Sequence, residues 1–162
     1  MKKLVIICYF LAIQIFVGFN SFCQRVEPFI EFESPSVPWG LIFTRDDGMI
    51  SLDDDFVARL WEINTGKLQR EFRAHSDRLM TAAVSPDGKL FATASKDKKI
   101  CVWEISSGNL ISTLIGHDGI ISGMSFSPDG KFLISGGYDK TIRTWDFTNG
   151  TQLSIFPQTE NE

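Results

Sequence analysis

The sequence predicts an all-β fold built from three copies of one four-stranded antiparallel unit, and three observations carry that reading. The first is an interval: Trp61, Trp103 and Trp145 stand 42 residues apart, and so do Asp55, Asp97 and Asp139, Gly66, Gly108 and Gly150, and the hydroxyl residues Ser51, Thr93 and Ser135. His75 and His117 keep the same interval, as do the Ser-Pro-Asp-Gly turns at 85–88 and 127–130. Several independent positions holding one period identify a repeat before any motif is weighed. The second is texture, strand-length apolar runs divided by Pro, Asp and Gly. The third is that no stretch beyond the N-terminus keeps a helical apolar period. With 162 residues, 43% of them hydrophobic and 22% charged, the chain is of ordinary globular composition and long enough for one domain.

The second copy displays the unit most clearly. LMTAAVS (79–85) is a first strand. Ser85-Pro86-Asp87-Gly88 then turns the chain, proline presetting φ at the second turn position and glycine suiting the fourth. LFATAS (90–95), ICVWEI (100–105) and NLISTL (109–114) follow, joined by tight turns at Lys96–Lys99 and Ser107-Gly108. Alternation puts Ile100 and Val102 on one face, Cys101 and Trp103 on the other. Both faces are apolar, so each sheet needs a cover on each side, and neighbouring copies are the natural covers. The three copies span 39–73, 79–114 and 120–156, with a polar tail at 157–162. Segment 24–38 precedes them, and its PFIEFE (28–33) aligns with LQREF and LISTL as an extra outer strand.

The order His75, Ser85-Pro86-Asp87-Gly88, Asp97, Trp103-Glu104 returns as Gly116-His117, Asp129-Gly130, Asp139, Trp145-Asp146. This pattern resembles the WD-repeat family of β-propellers. The resemblance covers residues 28–156 and is most specific in the second and third copies. The first copy departs from it, with Pro35 at the histidine position and TRDDG in place of the proline turn. The resemblance implies four-stranded blades set radially about a channel, and three blades make an open or partial β-propeller. It also implies a hydrogen-bonded tetrad within each blade: His75, Thr93, Asp97 and Trp103, then His117, Ser135, Asp139 and Trp145, with Ser51, Asp55 and Trp61 as a remnant in the first copy.

Ser135, His117 and Asp139 are also the residue types of a hydrolase triad. A nucleophile and its base belong in one accessible cleft beside an oxyanion hole. Here the set occurs twice, in register with a tryptophan, and Thr93 replaces the serine in one of them. That is the pattern of a structural brace, so no catalytic residue is assigned. Asp46-Asp47 and Asp53–Asp55 lack the alternating spacing of a calcium loop. Two histidines and the one cysteine left after export cannot build a usual zinc site. The sequence reading is therefore of a protein without metal, cofactor or enzymatic activity.

The N-terminus reads as an export signal. Lys2 and Lys3 precede an apolar run from Leu4 to about Phe19, and Ser21 and Cys23 occupy the small-residue positions of a cleavage site between Cys23 and Gln24. The run is short for a membrane span, which takes roughly 20 residues, so membrane attachment enters only as an uncleaved anchor. Residues 1–23 carry two lysines and no acids, and their loss moves the formal charge from −4 to −6. An acidic chain offers no electrostatic ground for general nucleic-acid binding. The expected location is periplasmic or extracellular, in bacterial style.

Function then rests on surfaces, and the resemblance implies binding to other proteins. The loops entering each blade share a rim with the turns between its second and third strands. That rim carries Asp77, Arg78, Lys96, Lys98, Lys99, Asp118, Tyr138 and Lys140, with Asp53, Asp54 and Phe56 in the first copy. Phe56, Lys98 and Lys140 stand where the family usually has glycine, and Phe56 and Tyr138 are candidate aromatic anchors for a partner. Closed propellers use about 4–8 blades, so three leave apolar faces to cover. A homo-oligomer of two chains can complete the ring, the chain can be the accessory propeller portion or fragment of a larger, for instance hydrolytic, protein, or other proteins can supply the neighbours. The primary expectation is an exported, non-catalytic interaction scaffold.

Overall fold

The computed structural model describes residues 2–5, 31–46 and 48–157, which form strands, turns and bends with no helix among them. Strands β1 (Lys2–Val5) and β2 (Glu31–Ser34) pair antiparallel. Blade 1 comprises β3 (Pro38–Phe43), β4 (Gly48–Asp53), β5 (Ala58–Glu62) and β6 (Leu68–Phe72). Blade 2 comprises β7 (Leu79–Val84), β8 (Leu90–Ser95), β9 (Lys99–Glu104) and β10 (Leu110–Ile115). Blade 3 comprises β11 (Ile121–Phe126), β12 (Leu133–Gly137), β13 (Thr141–Asp146) and β14 (Thr151–Pro157). Each blade is a four-stranded meander whose sheet order follows the chain. The turns explain the order: Gly88 and Gly130 take positive φ (78° and 71°) at the end of the first turn in blades 2 and 3. Gly66, Gly108 and Gly150 do so before each outer strand, a backbone region open to glycine at little cost.

Burial confirms that the blades cover one another. Each blade has a leading face toward the preceding blade and a trailing face toward the next. Ile50, Leu52, Ala58 and Leu60 of blade 1 pack with Phe91, Cys101 and Trp103 of blade 2. Ile100 and Val102, on the opposite face of the same strand as Trp103, pack with Ile121, Leu133 and Trp145 of blade 3. The division of Ile100/Val102 from Cys101/Trp103 is thus the division between two cores. At about 25 cal/mol per Å² of apolar area removed from water, these interblade cores are the main favourable term holding the array together. Across the blade 1–2 boundary, Arg70 donates from its guanidinium to the carbonyls of Ser106 (2.8 Å) and Ser107 (2.7 Å).

The segment before blade 1 behaves as the outer part of a preceding blade. Phe32 lies edge-on to Trp61, with ring centroids 6.0 Å apart, as Phe72 lies against Trp103 at 5.6 Å. Residues 28–30 of the expected outer strand lie outside the described residues, and the strand itself runs Glu31–Ser34. The export-signal reading placed no strand of the fold within residues 1–23, whereas Lys2–Val5 pairs with β2. The physical reason is that a lone outer strand leaves one edge of backbone donors and acceptors unpaired. Leu4 stands opposite Phe32 as Ala58 does opposite Phe72 and Ile100 opposite Leu114. The rest of the apolar run, the cleavage position Cys23–Gln24 and tail residues 158–162 lie outside the described residues.

Candidate functional site

The serine, histidine and aspartate of blade 3 meet, and so do their counterparts in blade 2. Strand β12 carries Ser135, the β12–β13 turn carries Asp139, β13 carries Trp145, and the loop entering the blade brings in His117. His117 Nδ1 lies 2.7 Å from Asp139 Oδ2, its Nε2 lies 2.8 Å from Ser135 Oγ, and Trp145 Nε1–H donates to that same Oγ at 2.8 Å. In blade 2, His75 Nδ1 is 2.9 Å from Asp97 Oδ2 and its Nε2 is 2.9 Å from Thr93 Oγ1, which accepts from Trp103 Nε1–H at 3.0 Å. One proton order satisfies each chain: indole donates to hydroxyl, hydroxyl to Nε2, and Nδ1–H to carboxylate. Both histidine side chains are almost wholly buried, so no substrate reaches the hydroxyl through them.

The carboxylates are anchored from several sides. Asp97 Oδ2 also accepts the Ser76 N–H, and Asp139 Oδ2 the Asp118 N–H, which pins each entry loop to its turn. Burial by itself raises both carboxyls, yet hydrogen bonds from His75 and the Lys99 and Ser76 amides hold Asp97 below the usual range. Thr141, His117 and the Asp118 amide do the same for Asp139, more strongly. The fit leaves no slack: a Cβ on Gly137 would stand 3.1 Å from His117 Nδ1, and one on Gly119 only 2.4 Å from the Asp139 amide nitrogen.

Blade 1 keeps half of this chain and replaces the rest. Trp61 Nε1–H donates to Ser51 Oγ at 2.9 Å, but Asp55 meets Arg59, whose Nη1 and Nη2 reach its two oxygens at 2.9 and 2.5 Å. Arg59 is 1% exposed and also bonds buried Asp53 and, through Nε at 3.0 Å, Glu71. Burial opposes the charge of this guanidinium, but its bonds to Asp55 and Asp53 raise its affinity for the proton above the ordinary arginine value. Asp53 Oδ2 accepts from Ser34 Oγ of β2 at 3.1 Å, while its Oδ1 has no hydrogen-bond partner. This cluster went unnoticed in the sequence, although the signal was present: Arg59, Cys101 and Arg143 share the 42-residue interval. In blade 3 Arg143 approaches Asp139 at 3.4 Å and donates to Gln152 Oε1 at 2.7 Å. Cys101 is 1% exposed and its thiol is pushed up to about 11 by burial.

Above the braces, the turns and entry loops come together as one rim. The amide of Lys96 donates to Arg78 O and that of Tyr138 to Ile120 O, both strapping a turn to the loop beside it. Arg78, Lys96, Lys98, Lys99, Tyr138 and Lys140 are exposed, as are Asp54, Asp118 and Phe56, whereas Asp53 is buried and Asp77 half-buried. Phe56, Lys98 and Lys140 each adopt positive φ, at 69°, 67° and 59°. Sequence reasoning missed Trp39 on this rim; Arg78 stands over its ring at 5.3 Å and pairs with Asp54 at 3.4 Å. At the other end of the blades, a cleft of about 640 Å³ between blades 1 and 2 is lined by Glu62, Arg70, Lys89 and Glu104. Its glutamates are already engaged by their own loops, through Thr65 and Ser107. Among the described residues no three acids, histidines or cysteines are grouped to hold a metal ion.

The fold and its braces define an open array of three propeller blades of the WD-repeat type. Residues 66–104 and 108–146 match the family described as WD domain, G-beta repeat, and repeats of this kind generally serve as non-catalytic platforms for protein interaction. Among curated proteins, 56 residues are 36% identical to coronin-7 of Rattus norvegicus, covering 35% of this chain and 6% of that protein. A 54-residue stretch is 32% identical to apoptotic protease-activating factor 1 of Rattus norvegicus, covering 33% and 4%. WD repeat-containing protein 36 of Homo sapiens is 35% identical over 68 residues, covering 41% and 7%. The matched stretch spans a small fraction of each relative's length.

Proposed function

We propose that this chain is an exported, non-catalytic scaffold that binds other proteins on the rim carrying Phe56, Arg78, Lys96, Lys98, Lys99, Tyr138 and Lys140. The observation that carries the reading is the thrice-repeated left-handed turn position. Glycine occupies such a position without strain, yet here it holds Phe56, Lys98 and Lys140, all exposed. Strain of this kind costs on the order of 1 kcal/mol each time and gathers at functional surfaces. Tyr138, 71% exposed, and Phe56 supply aromatic anchors, and the basic side chains favour a partner with an acidic surface.

The test is a photo-crosslinking residue at Tyr138, read by mass spectrometry in the protein's own cells. One recurring partner, bound at least tenfold more weakly by a Phe56→Ala/Tyr138→Ala variant, supports the reading; an unchanged affinity overturns it. Export, which would remove β1 together with the rest of residues 1–23, rests on Lys2, Lys3 and the apolar run after them. N-terminal sequencing of the natural protein should begin at Gln24, and an intact Met1 in the cytosol contradicts it. A second reading, in which the blades are the propeller portion of a larger assembly or one half of a two-chain ring, is favoured by the apolar side chains Ile134, Ile142 and Phe156 that blade 3 exposes.

A further inference from the structure

The turn between the third and fourth strands, at the end of each blade away from the rim, differs across the repeat. The residue before its glycine is Thr65 in blade 1, Ser107 in blade 2 and Asn149 in blade 3, and Asn149-Gly150 is the one Asn-Gly pair in the sequence. The glycine amides differ as well. Gly66 N–H donates to Glu62 O at 2.9 Å and Gly108 N–H to Glu104 O at 2.8 Å, whereas among the described residues the Gly150 N–H makes no such bond to Asp146 O. Asn149 is exposed, yet its amide is held at both ends. Its Oδ1 accepts from the Thr151 N–H at 3.1 Å and from the Thr151 hydroxyl at 2.6 Å, and its Nδ2 donates to Asp146 Oδ2 at 3.0 Å. Two donors on one carbonyl oxygen stabilise the negative charge that develops there when a nucleophile adds to the carbon. The Gly150 nitrogen is placed by the chain itself to close a five-membered ring on that carbon, and glycine puts no side chain in the way.

We propose that Asn149 is a self-modification site, where the folded turn promotes attack of the Gly150 nitrogen on the Asn149 side-chain amide. The nitrogen gives its proton to solvent base and bonds to Cγ. The Cγ–Nδ2 bond breaks, and ammonia leaves with a proton from water. Water then opens the cyclic imide at either carbonyl, leaving aspartate or, with the chain running through the side-chain carboxyl, isoaspartate. Nothing is oxidised or reduced, and water is the only co-reactant. The product sets a second carboxylate against Asp146 in place of a donor, and isoaspartate lengthens the backbone just before β14. Both changes loosen the β13–β14 hairpin where Asp146 pairs with Thr151. A turn that merely held the asparagine still would slow the reaction relative to a free peptide, so the rate separates the two roles.

The full chain, kept folded at mildly alkaline pH, is followed by ammonia release and by methylation with an isoaspartyl methyltransferase, peptide mapping placing the product. Conversion at Asn149 should run about tenfold faster in the chain than in a capped peptide of residues 144–154. Thr151→Val, in a chain shown to be folded by circular dichroism, should slow it about tenfold while leaving the peptide rate unchanged. Thr151→Ser should keep the parent rate, and Asn149→Ser should form no isoaspartate at this turn. The converted chain should unfold at lower urea than the fresh one. Conversion no faster in the chain than in the peptide, a Thr151→Val chain as fast as the parent, or an unchanged urea midpoint after conversion would overturn the proposal.

Discussion

Arg59 holds Asp55 in blade 1 with two guanidinium bonds of 2.9 and 2.5 Å, in the place where His75 holds Asp97 in blade 2. Arg59 stands directly across the strand pair from Ser51, as Cys101 does from Thr93 and Arg143 from Ser135. The first blade has therefore kept the indole–hydroxyl half of the brace and rebuilt the carboxylate half from its own third strand.

Truncating Arg59 should be far more damaging than an average surface change. Its removal strands Asp53, which is fully buried, without its cation. Breaking one side of a buried ion pair costs about 3–5 kcal/mol. Urea unfolding of Arg59→Met should show a loss of that order, whereas Arg73→Met, whose partner Glu71 is a surface pair, should lose less than about 1 kcal/mol.

Acid should unfold the array through its turn aspartates. Asp97, Asp139 and Asp55 all have folded values below the unperturbed 3.8. A depressed carboxyl contributes stability that is present above its unfolded value and is lost as the pH falls through its folded value. The urea midpoint should therefore hold steady from pH 7 to about 5 and fall steadily below about 4. Asp139→Asn should flatten that fall, at the cost of lower stability at neutral pH.

Much of this was legible in the sequence because a repeat compares itself with itself. Every strand of blade 2 falls within a residue of its expected limits, and the two cores separate along Ile100/Val102 and Cys101/Trp103 as alternation requires. The histidine sets were legible for the same reason, since spacing, not chemistry alone, singled them out. What escaped notice did so where the pattern breaks. Pro35 marks a missing histidine, but nothing in a one-dimensional comparison says that Arg59 reaches across to fill the gap. Trp39 lies in a bulged part of β3, where alternation no longer tells which way a side chain points.

Relieving the turn strain should stabilise the fold while leaving the braces alone. Lys98 takes φ of 67° and its side chain is exposed. Lys98→Gly should raise stability by about 0.5–1 kcal/mol, the relief of a left-handed residue less the greater freedom glycine has when unfolded. Phe56→Gly should behave likewise in urea, and any accompanying loss of partner binding would separate the turn's strain from its use.

Cys101 should be silent toward thiol reagents in the native state. It is 1% exposed and its thiol is raised to about 11, so at pH 8 it is neither reachable nor ionised. Its labelling by Ellman's reagent should follow unfolding, at the same urea midpoint as the fluorescence of the tryptophans. Rapid labelling of the folded chain would mean that blades 1 and 2 part more readily than their shared core allows.

The central claim is that Ser135, His117 and Asp139 brace a blade, and a double-mutant cycle on Ser135 and His117 tests it most directly. If Trp145, Ser135 and His117 form one buried chain, Ser135→Ala and His117→Ala each leave a polar group unpartnered and cost about 1–3 kcal/mol. Together they should cost clearly less than the sum, with a coupling of about 1 kcal/mol or more in urea unfolding. Full additivity, or a Ser135→Ala variant as stable as the parent, would contradict the account.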